Sequence, residues 1–359
     1  MFNKKGKFPM KKVGIITITG LGNYGNRLQN YALQQAIETL PSCQCETLNN
    51  RSSRMKSYIK NIIMPRHREL TPREQVFQKF NEEFMHFSEI SINNISRDSR
   101  LLEYDCLVCG SDQIWNSDYP ENDRANFGYI FPEMNVISYA ASFGTDTVVK
   151  AKKRKYAKYL NHLSAISVRE EKGKQLAEQL TGRRDVCVHV DPTLLLTAKE
   201  WMNIEKIPEL YNGERYILKY FLGEKNSELN RKLEDFAKSN NLLIIDVISK
   251  DSPYYNIGPS EFLFLERNAE LIVTDSFHSC VFAMLYERPF IVAERKEKNL
   301  QSMGSRIDTL LRKFQLENRR YIEGDIEDKL YVNYSHVNEI LVHERDASTS
   351  YLKKWVDNK

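Results

Sequence analysis

The sequence predicts an α/β protein with two doubly wound domains in tandem, and three observations lead to this fold class. Short apolar segments alternate with amphipathic helical patterns along most of the chain, which is typical of parallel sheets covered by helices. The chain has 359 residues, and at about 150 residues per domain this length allows two or three domains. The connection Trp201–Gly213, punctuated by proline and glycine, divides the pattern into two series.

The first series predicts an N-terminal domain over residues 1–205. Its clearest helix is Arg27–Leu40. Its predicted strands are Val13–Ile18, Cys43–Leu48, Cys106–Cys109, Val136–Ala140, Ala165–Val168 and Val186–Val190.

The second series predicts a C-terminal domain over residues 206–335. Its predicted strands are Tyr216–Tyr220, Leu242–Ile248, Leu271–Thr274 and Phe290–Ala293. Its predicted helices are Asn226–Ser239, Ser260–Asn268, Phe277–Tyr286 and Arg306–Phe314. The remaining segment, 336–359, predicts a helix that packs back on the first domain.

Composition and cysteine spacing exclude several classes of protein. The net charge of +4 is too small to indicate a nucleic-acid partner. No apolar stretch is long enough to span a membrane, and Val13–Ile18 is too short for a signal peptide, so we expect a cytoplasmic protein. Cys106 and Cys109 are three residues apart on a strand and point to opposite faces. We therefore expect reduced cysteines and no metal site.

A glycine-rich loop follows the first predicted strand. Gly20, Gly22 and Gly25 match the dinucleotide fingerprint, and Glu46 lies 21 residues further on. This pattern favours an oxidoreductase that uses NAD. The next residues are rich in amides instead, which suits a hydroxyl-rich ligand such as a sugar; candidates for this contact are Asn23, Asn26 and Asn30.

A second helix start follows the predicted strand Leu271–Thr274. Asp275 or Ser276 is placed to cap this helix, and His278 lies in its first turn. Free backbone amides and the positive end of the helix dipole attract anions at such a position. A histidine there can donate a hydrogen bond to a phosphate or exchange a proton with a substrate.

An ordered series of motifs over roughly Lys12–Arg320 resembles the polysaccharide pyruvyl transferase family. The motifs include Gly22-Asn-Tyr-Gly-Asn-Arg, Tyr104-Asp-Cys-Leu-Val-Cys-Gly-Ser-Asp-Gln-Ile-Trp-Asn, Ser138-Tyr-Ala-Ala-Ser-Phe-Gly, Ile166-Ser-Val-Arg-Glu-Glu, Val190-Asp-Pro-Thr and Asp275-Ser-Phe-His. The resemblance implies two Rossmann-like domains that face a central cleft, as in GT-B glycosyltransferases. It also implies transfer of the enolpyruvyl group of phosphoenolpyruvate to two hydroxyls of one sugar, with phosphate released and no other cofactor. The acceptor is typically a lipid-linked or growing surface glycan.

The resemblance assigns His278 as the catalytic acid/base and Arg169 as a ligand of the anionic donor. Some branches of the family have an arginine where this chain has Ser276, so the second cation is expected from Lys219, Arg306 or Arg295. Phe277 and Ser279 complete the predicted donor site.

Polar residues after the strand Cys106–Cys109 are candidates for acceptor binding. Ser111, Asp112, Gln113 and Asn116 can bind sugar hydroxyls, and Trp115 can stack on a sugar face. The alternative interpretation is a structural turn with Trp115 in the core.

Two segments are conspicuously basic, Arg51–Arg73 and Val148–Leu163. The second predicts a surface helix whose cationic faces are either solvated or a docking face for anionic lipid headgroups or a polyanionic acceptor. Besides the pyruvyl transfer, three other functions stay open. They are a GT-B glycosyltransferase that uses a nucleotide sugar, an NAD-linked oxidoreductase, and a glycan-binding protein without turnover.

Overall fold

The computed structural model describes residues 10–50, 69–92, 98–119, 122–223, 227–294, 305–322, 324 and 326–357. Within the basic segment Arg51–Arg73, residues 51–68 lie outside these ranges. No helix in the described ranges is long and apolar enough to cross a membrane.

The first sheet consists of β1 (Lys11–Ile16), β2 (Cys43–Asn50), β3 (Phe87–Ile92), β4 (Cys106–Cys109) and β5 (Val136–Ser138), in the spatial order β3-β2-β1-β4-β5. All neighbouring strands are parallel. From β1 the chain adds β2 and β3 on one side and then β4 and β5 on the other side. Doubly wound sheets bind ligands in the crevice between β1 and β4, where this change of side occurs.

Two further strands extend this sheet. β6 (Ser167–Val168) and β7 (Cys187–Val188) pair in parallel with each other. Isolated bridges, Ile137 with Ala165 and Ala141 with Val168, connect them to the edge formed by β5. The carboxyl ends of β4 and β7 therefore open toward the same side.

The second sheet consists of β8 (Tyr216–Tyr220), β9 (Leu243–Asp246), β10 (Leu271–Thr274) and β11 (Phe290–Val292), in the order β11-β10-β8-β9. It is also parallel throughout. Its reversal lies between β8 and β10, at the start of the helix that carries His278.

Helices connect the strands, as the alternating pattern predicts. In chain order they are α1 (Tyr24–Glu38), α2 (Pro72–Phe84), α3 (Lys153–His162), α4 (Glu171–Thr181), α5 (Ala198–Met202), α6 (Ser227–Ser239), α7 (Pro259–Asn268), α8 (Phe277–Leu285), α9 (Ser305–Lys313) and α10 (Val337–Asp357). Short 3-10 helices connect several elements, among them Pro192–Leu194.

The sequence missed two consecutive elements, α2 and β3. A capping box begins α2, because the Thr71 side chain accepts from the Glu74 amide and Glu74 binds the Thr71 backbone in return. Pro72 occupies the first turn. This start pattern was readable in the sequence. The following strand β3 alternates buried residues with more exposed ones, but one of its buried positions is Ser88, so its apolar pattern is harder to recognise.

The two domains share one hydrophobic core. Tyr24 at the start of α1 stacks on Phe262 of α7, with ring centroids 4.2 Å apart, and its hydroxyl donates to the Ile257 carbonyl at 3.2 Å. Arg73 of α2 is buried and donates to the carbonyl oxygens of Val247, Tyr255 and Gly22. The last cation of the first basic segment therefore joins the domains instead of facing solvent.

The helix α10 packs back on the first domain, which confirms that part of the predicted fold. The Tyr351 hydroxyl donates to the Ser138 carbonyl at 2.9 Å. Leu352 and Val356 share a core cluster with Val13 of β1. The domain boundaries at residues 205 and 335 stay predictions.

Glu266 is a fully buried carboxyl in α7. Burial raises the pKa of Glu266 well above its ordinary value, and the nearby Ser279 hydroxyl opposes this shift only in part. The folded protein therefore keeps this proton to a higher pH than the unfolded chain does.

We expect Glu266→Gln to change how stability depends on pH. Because the folded state binds the extra proton, the free energy of unfolding of the wild type falls as pH rises above about 4.3, by up to about 1.4 kcal/mol per pH unit. Glutamine cannot ionise, so the variant should gain stability over the wild type between pH 5 and pH 8. Thermal denaturation at both pH values measures this difference. Glu234→Gln, at an exposed position of α6, should leave the pH dependence of the free energy of unfolding unchanged. An equal response of the two variants would contradict the prediction.

Candidate active site

His278 lies at the boundary of the two domains. It is the second residue of α8, and its imidazole packs against Gly25, the second residue of α1. A methyl group added at Gly25 would lie only 2.1 Å from His278 Nδ1. Position 25 therefore requires glycine because the His278 ring lies so close to its Cα. The backbone of Gly25 itself has ordinary helical geometry. The N-termini of one helix from each domain meet at this histidine.

The start of α8 has no side-chain cap, which corrects the expectation that Asp275 or Ser276 supplies one. Ser276 occupies the capping position, but its side chain makes no capping hydrogen bond. The Asp275 carboxylate instead accepts from the amides of Leu222 at 2.7 Å and Gly223 at 2.8 Å. Asp275 thus fixes the loop after β8, and the first-turn amides of α8 keep their attraction for an anion.

Asp191 connects the charged groups of the two domains. Its Oδ2 accepts from Arg169 Nη1 at 2.5 Å and from Ser111 Oγ at 3.1 Å, and it lies 3.6 Å from His278 Nε2. Its Oδ1 accepts from the amide and hydroxyl of Thr193 at 3.0 and 2.7 Å. The motif Val190-Asp-Pro-Thr by itself gave Asp191 no role. Its Oδ1 caps the 3-10 helix Pro192–Leu194, and its Oδ2 faces the site.

The surrounding charges fix the ionisation of Asp191 and Arg169. Burial alone would raise the pKa of Asp191, but the neighbouring His278 and Arg169 outweigh burial and hold this pKa well below its ordinary value. Burial would likewise lower the pKa of Arg169, but the carboxylates around it, Asp191 first, raise it. Both groups are therefore charged at neutral pH.

Two arginines lie beside Asp112, a second buried carboxylate at the site. Arg169 Nη2 is 3.4 Å from Asp112 Oδ1, and its guanidinium carbon is 4.3 Å from the Phe277 ring centre. Arg306 is buried next to Asp112, with Nη1 4.0 Å from Oδ1. With its amide oxygen turned toward Arg306, Gln113 accepts from both terminal nitrogens at 3.0 and 3.2 Å.

Of the three cations expected to replace the missing arginine, the structure brings Arg306 to the site. Lys219 instead pairs with Asp246 at 3.1 Å, at the end of the neighbouring strand β9. Arg295 lies outside the described residues. A small cavity of about 10 Å³ separates Arg169 from Arg306, next to Phe277, and this is about enough for one water molecule.

Among the residues that the structure describes, several buried polar atoms around the site have no hydrogen-bond partner, including His278 Nε2, Arg169 Nε and Glu170 Oε2. Buried polar atoms are nearly always satisfied in folded proteins, and a cluster of exceptions requires an explanation. A polar ligand that reaches these atoms supplies one.

Several predicted acceptor residues have internal partners. Trp115 is fully buried, stacks on Phe127 at 5.2 Å, and donates from Nε1 to the Asn126 carbonyl. It has no exposed ring face, so the prediction that it stacks on a sugar is wrong and the core interpretation is correct. Asn30 is also fully buried and accepts from the Thr47 hydroxyl at 2.9 Å.

The other candidates divide between the site and its supports. Ser111, Asp112 and Gln113 contact the charged groups described above, and Asn116 lies 3.0 Å from Gln113. Asn23 caps α1 by accepting from the Asn26 amide at 3.1 Å. Ser276 and Phe277 are buried at the start of α8, beside the site.

Ser279 is fully buried and faces Glu266 in the core. This position corrects the expectation that Ser279 binds the donor.

The expected dinucleotide contact of Glu46 is also corrected. β2 continues to Asn50, so Glu46 lies in the middle of the strand and not at the carboxyl end where a ribose would bind. Its carboxylate is 3.0 Å from Lys12 Nζ and accepts from the Tyr104 hydroxyl at 2.6 Å. Within the described ranges, no group of three or more histidine, cysteine or acidic residues could hold a metal ion, and the metal-free reaction stays a prediction.

Solved structures share the fold at low sequence identity. A protein of Listeria monocytogenes, described as a UDP-N-acetylglucosamine 2-epimerase, superposes with a TM-score of 0.51 at 10% identity, over 98% of this chain and 91% of that chain. The UDP-GlcNAc 2-epimerase of Methanocaldococcus jannaschii is 14% identical, with a TM-score of 0.44 over 93% and 94% of the two chains. The first similarity shows the fold alone, and it confirms the predicted pair of Rossmann-like domains of GT-B type.

A family model identifies the chain more specifically. No curated protein matches the sequence. The model for polysaccharide pyruvyl transferases matches residues 23–296, which is most of the chain. Gly25, Arg169, Asp191 and His278 all lie inside the matched range. This protein therefore belongs to the polysaccharide pyruvyl transferase family.

Proposed function

We propose that this protein transfers the enolpyruvyl group of phosphoenolpyruvate to two hydroxyls of one sugar in a lipid-linked or growing surface glycan. The product is a cyclic pyruvate ketal, and inorganic phosphate is released. One observation carries the proposal beyond family membership: His278, Arg169 and Arg306 converge from two domains at a helix start without a side-chain cap. This arrangement suits a small dianionic or trianionic donor.

The two arginines match the two anionic groups of phosphoenolpyruvate. A guanidinium binds carboxylate or phosphate through two parallel hydrogen bonds. Both arginines lie next to Asp112. Arg169 also lies against the Phe277 ring and Arg306 against Gln113, so one donor molecule could contact both arginines. In this proposal Arg306 supplies the positive charge that other family members place at position 276.

His278 supplies the acid/base chemistry in this proposal. Its Nε2 faces the ionised carboxylate of Asp191 at 3.6 Å, which stabilises an imidazolium. The histidine can then accept the proton of an attacking sugar hydroxyl and later return it to the departing phosphate. Asp191 acts through His278 and Arg169, so it is a positioning residue.

The site must open to admit the donor. The cavity beside Arg169 holds about 10 Å³, far less than a phosphoenolpyruvate molecule needs. Asp191 belongs to the first domain and His278 to the second, so relative motion of the domains would separate this pair. Closure over the donor would bring the histidine and its carboxylate together again.

The basic segment Val148–Leu163, which includes α3, adjoins residues 111–119, the loop that carries several proposed acceptor ligands. The Val149 amide donates to Ser117 Oγ at 3.0 Å, and Lys152 Nζ donates to the Tyr119 carbonyl at 2.8 Å. Lys153 and Arg154 are exposed. We propose that this face contacts an anionic membrane surface from which a lipid-linked acceptor extends to the 111–119 loop.

Replacing His278 tests the proposed chemistry. His278→Gln keeps a hydrogen-bonding group but cannot exchange a proton, so phosphate release from phosphoenolpyruvate should fall about 10²–10⁴-fold. Turnover is measured with a panel of p-nitrophenyl hexosides as acceptors. Phosphoenolpyruvate should still raise the melting temperature of the variant, because Arg169 and Arg306 remain.

The matched control for this test is the exposed His343, and His343→Gln should retain full activity. Near wild-type turnover of His278→Gln would contradict the acid/base role. A melting temperature raised by UDP-sugars or NAD, but not by phosphoenolpyruvate, would contradict the proposed function itself.

Gly25→Ala tests whether the contact between the two helix starts places His278. The new methyl group cannot occupy a position 2.1 Å from Nδ1, so the imidazole must leave its present position opposite Asp191. Turnover should fall about 10–100-fold, a smaller loss than removal of a general acid/base, which costs about 10²–10⁴-fold. Gly20→Ala is the control, because no atom lies within 4 Å of its added methyl group. Equal activity of the two variants would show that His278 tolerates displacement.

Charge reversal tests the basic helix. Lys150, Lys153 and Arg154 are exposed, whereas Lys152 and Lys155 already contact Tyr119 and Asp123. Replacing the first three by glutamate should weaken co-sedimentation with phosphatidylglycerol vesicles at low salt and leave phosphate release with soluble acceptors intact. The control carries the same charge change on other exposed positions, at Lys199, Arg231 and Lys238. If both triple variants bind vesicles alike, α3 is ordinary solvated surface.

A further inference from the structure

Glu170 is a buried carboxyl beside the two arginines. It belongs to the motif Ile166-Ser-Val-Arg-Glu-Glu, but the proposed reaction gives it no role. It follows Arg169 directly and is only 2% exposed. It occupies the capping position of α4, yet its side chain makes no capping hydrogen bond. The carboxyl group instead turns toward the interior of the site.

One oxygen of Glu170 is fixed and the other is not. Oε1 accepts from the Ser142 hydroxyl at 2.8 Å and packs against Gly173, where an added methyl group would lie 3.2 Å away. Within the described part of the chain, Oε2 has no hydrogen-bond partner; it lies 3.9 Å from Arg169 Nε, which has none there either. A carboxyl that only supported the fold would be expected to satisfy both oxygens.

The surroundings of Glu170 favour the protonated form of its carboxyl group. Burial raises the pKa of Glu170, and the charges of Arg169 and Arg306, with the hydrogen bonds from the Ser142 hydroxyl and the Phe143 amide, counteract this only in part. These groups face the carboxyl from its own strand end, from α9 and from the loop after β5. Glu170 therefore keeps its proton to a higher pH than an exposed glutamate.

We propose that Glu170 is a second catalytic residue, which gives its proton to the methylene carbon of the bound donor. This inference rests on the proposed function. The first addition needs two proton transfers in opposite directions, because a hydroxyl must lose a proton while the donor carbon gains one. His278 faces Asp191 on one side of Arg169, and Glu170 Oε2 faces Nε of the same guanidinium. A donor held by Arg169 can therefore touch both groups.

The two groups return to their starting states over one turnover. In the first step the carbon–carbon double bond takes the proton of Glu170, the sugar oxygen bonds to the central carbon, and His278 takes the hydroxyl proton. In the second step phosphate departs with the electrons of its carbon–oxygen bond and receives the proton from His278. The second hydroxyl then bonds to the central carbon, and its proton returns to the Glu170 carboxylate. Nothing is oxidised or reduced.

The first test needs only phosphoenolpyruvate. Bound donor adds negative charge near Glu170, so Glu170 should keep its proton to a higher pH in the complex than in the free protein. A series of pH values locates the range in which the free protein has lost this proton and donor binding restores it. Titration calorimetry in two buffers of different ionisation enthalpy measures proton uptake. The wild type should take up more protons than Glu170→Gln, with a difference that approaches one. Equal uptake by two proteins that both bind phosphoenolpyruvate overturns the role of Glu170.

The second test is turnover with the hexoside panel. Glu170→Gln preserves shape but has no acidic proton, so kcat should fall about 10²–10⁴-fold while KM for phosphoenolpyruvate changes little. In the wild type, kcat should decline with rising pH as Glu170 ionises, and the variant should lack this alkaline decline. A raised KM with unchanged kcat would mean that Glu170 only orients Arg169.

The chain offers a closely matched control in Glu171, the exposed next residue. Glu171→Gln makes the same chemical change one position away and should behave as the wild type in both tests. Failure of the wild type to bind phosphoenolpyruvate would overturn the proposed function together with this inference. Normal wild-type turnover with an unaffected Glu170→Gln would overturn the inference alone.

Discussion

The rest of the site depends on the buried carboxylate of Asp191. It contacts Arg169 within its own domain and faces His278 from the other domain, so a single carboxylate oxygen lies next to both side chains. A carboxylate buried to this extent would be costly without such partners. The arrangement stays stable because the positive charges hold Asp191 ionised, and Asp191 in turn holds Arg169 in position.

The domain interface gives this electrostatic contact its geometry. The aromatic stack of Tyr24 on Phe262 and the carbonyl contacts of Arg73 fix the start of α1 against the second domain. Gly25 then lies under His278 with no room for a side chain. Apolar packing between the domains therefore decides where the imidazole meets the carboxylate, and a change in domain orientation would alter the chemistry of the site directly.

The charge balance of the site explains how it could receive a strongly anionic donor. Asp112, Asp191 and Glu170 surround Arg169, and their charges would repel a donor if all were ionised. Asp191 is compensated by Arg169 and His278, whereas burial favours the neutral form of Glu170. Ser276 leaves the start of α8 without a cation of its own, and Arg306 from α9 provides one next to Arg169.

The sequence by itself determined the architecture and one half of the site. Alternating apolar and helical patterns located ten strands, because burial inside parallel sheets demands continuous apolar segments. His278 was recognisable because a strand that runs directly into a helix places the first turn at the ligand crevice. Only the tertiary structure showed that Asp191 faces this histidine, that Trp115 is buried and that Glu170 turns inward. Those facts depend on contacts between residues far apart in the chain, and local patterns carry no information about which distant groups will meet.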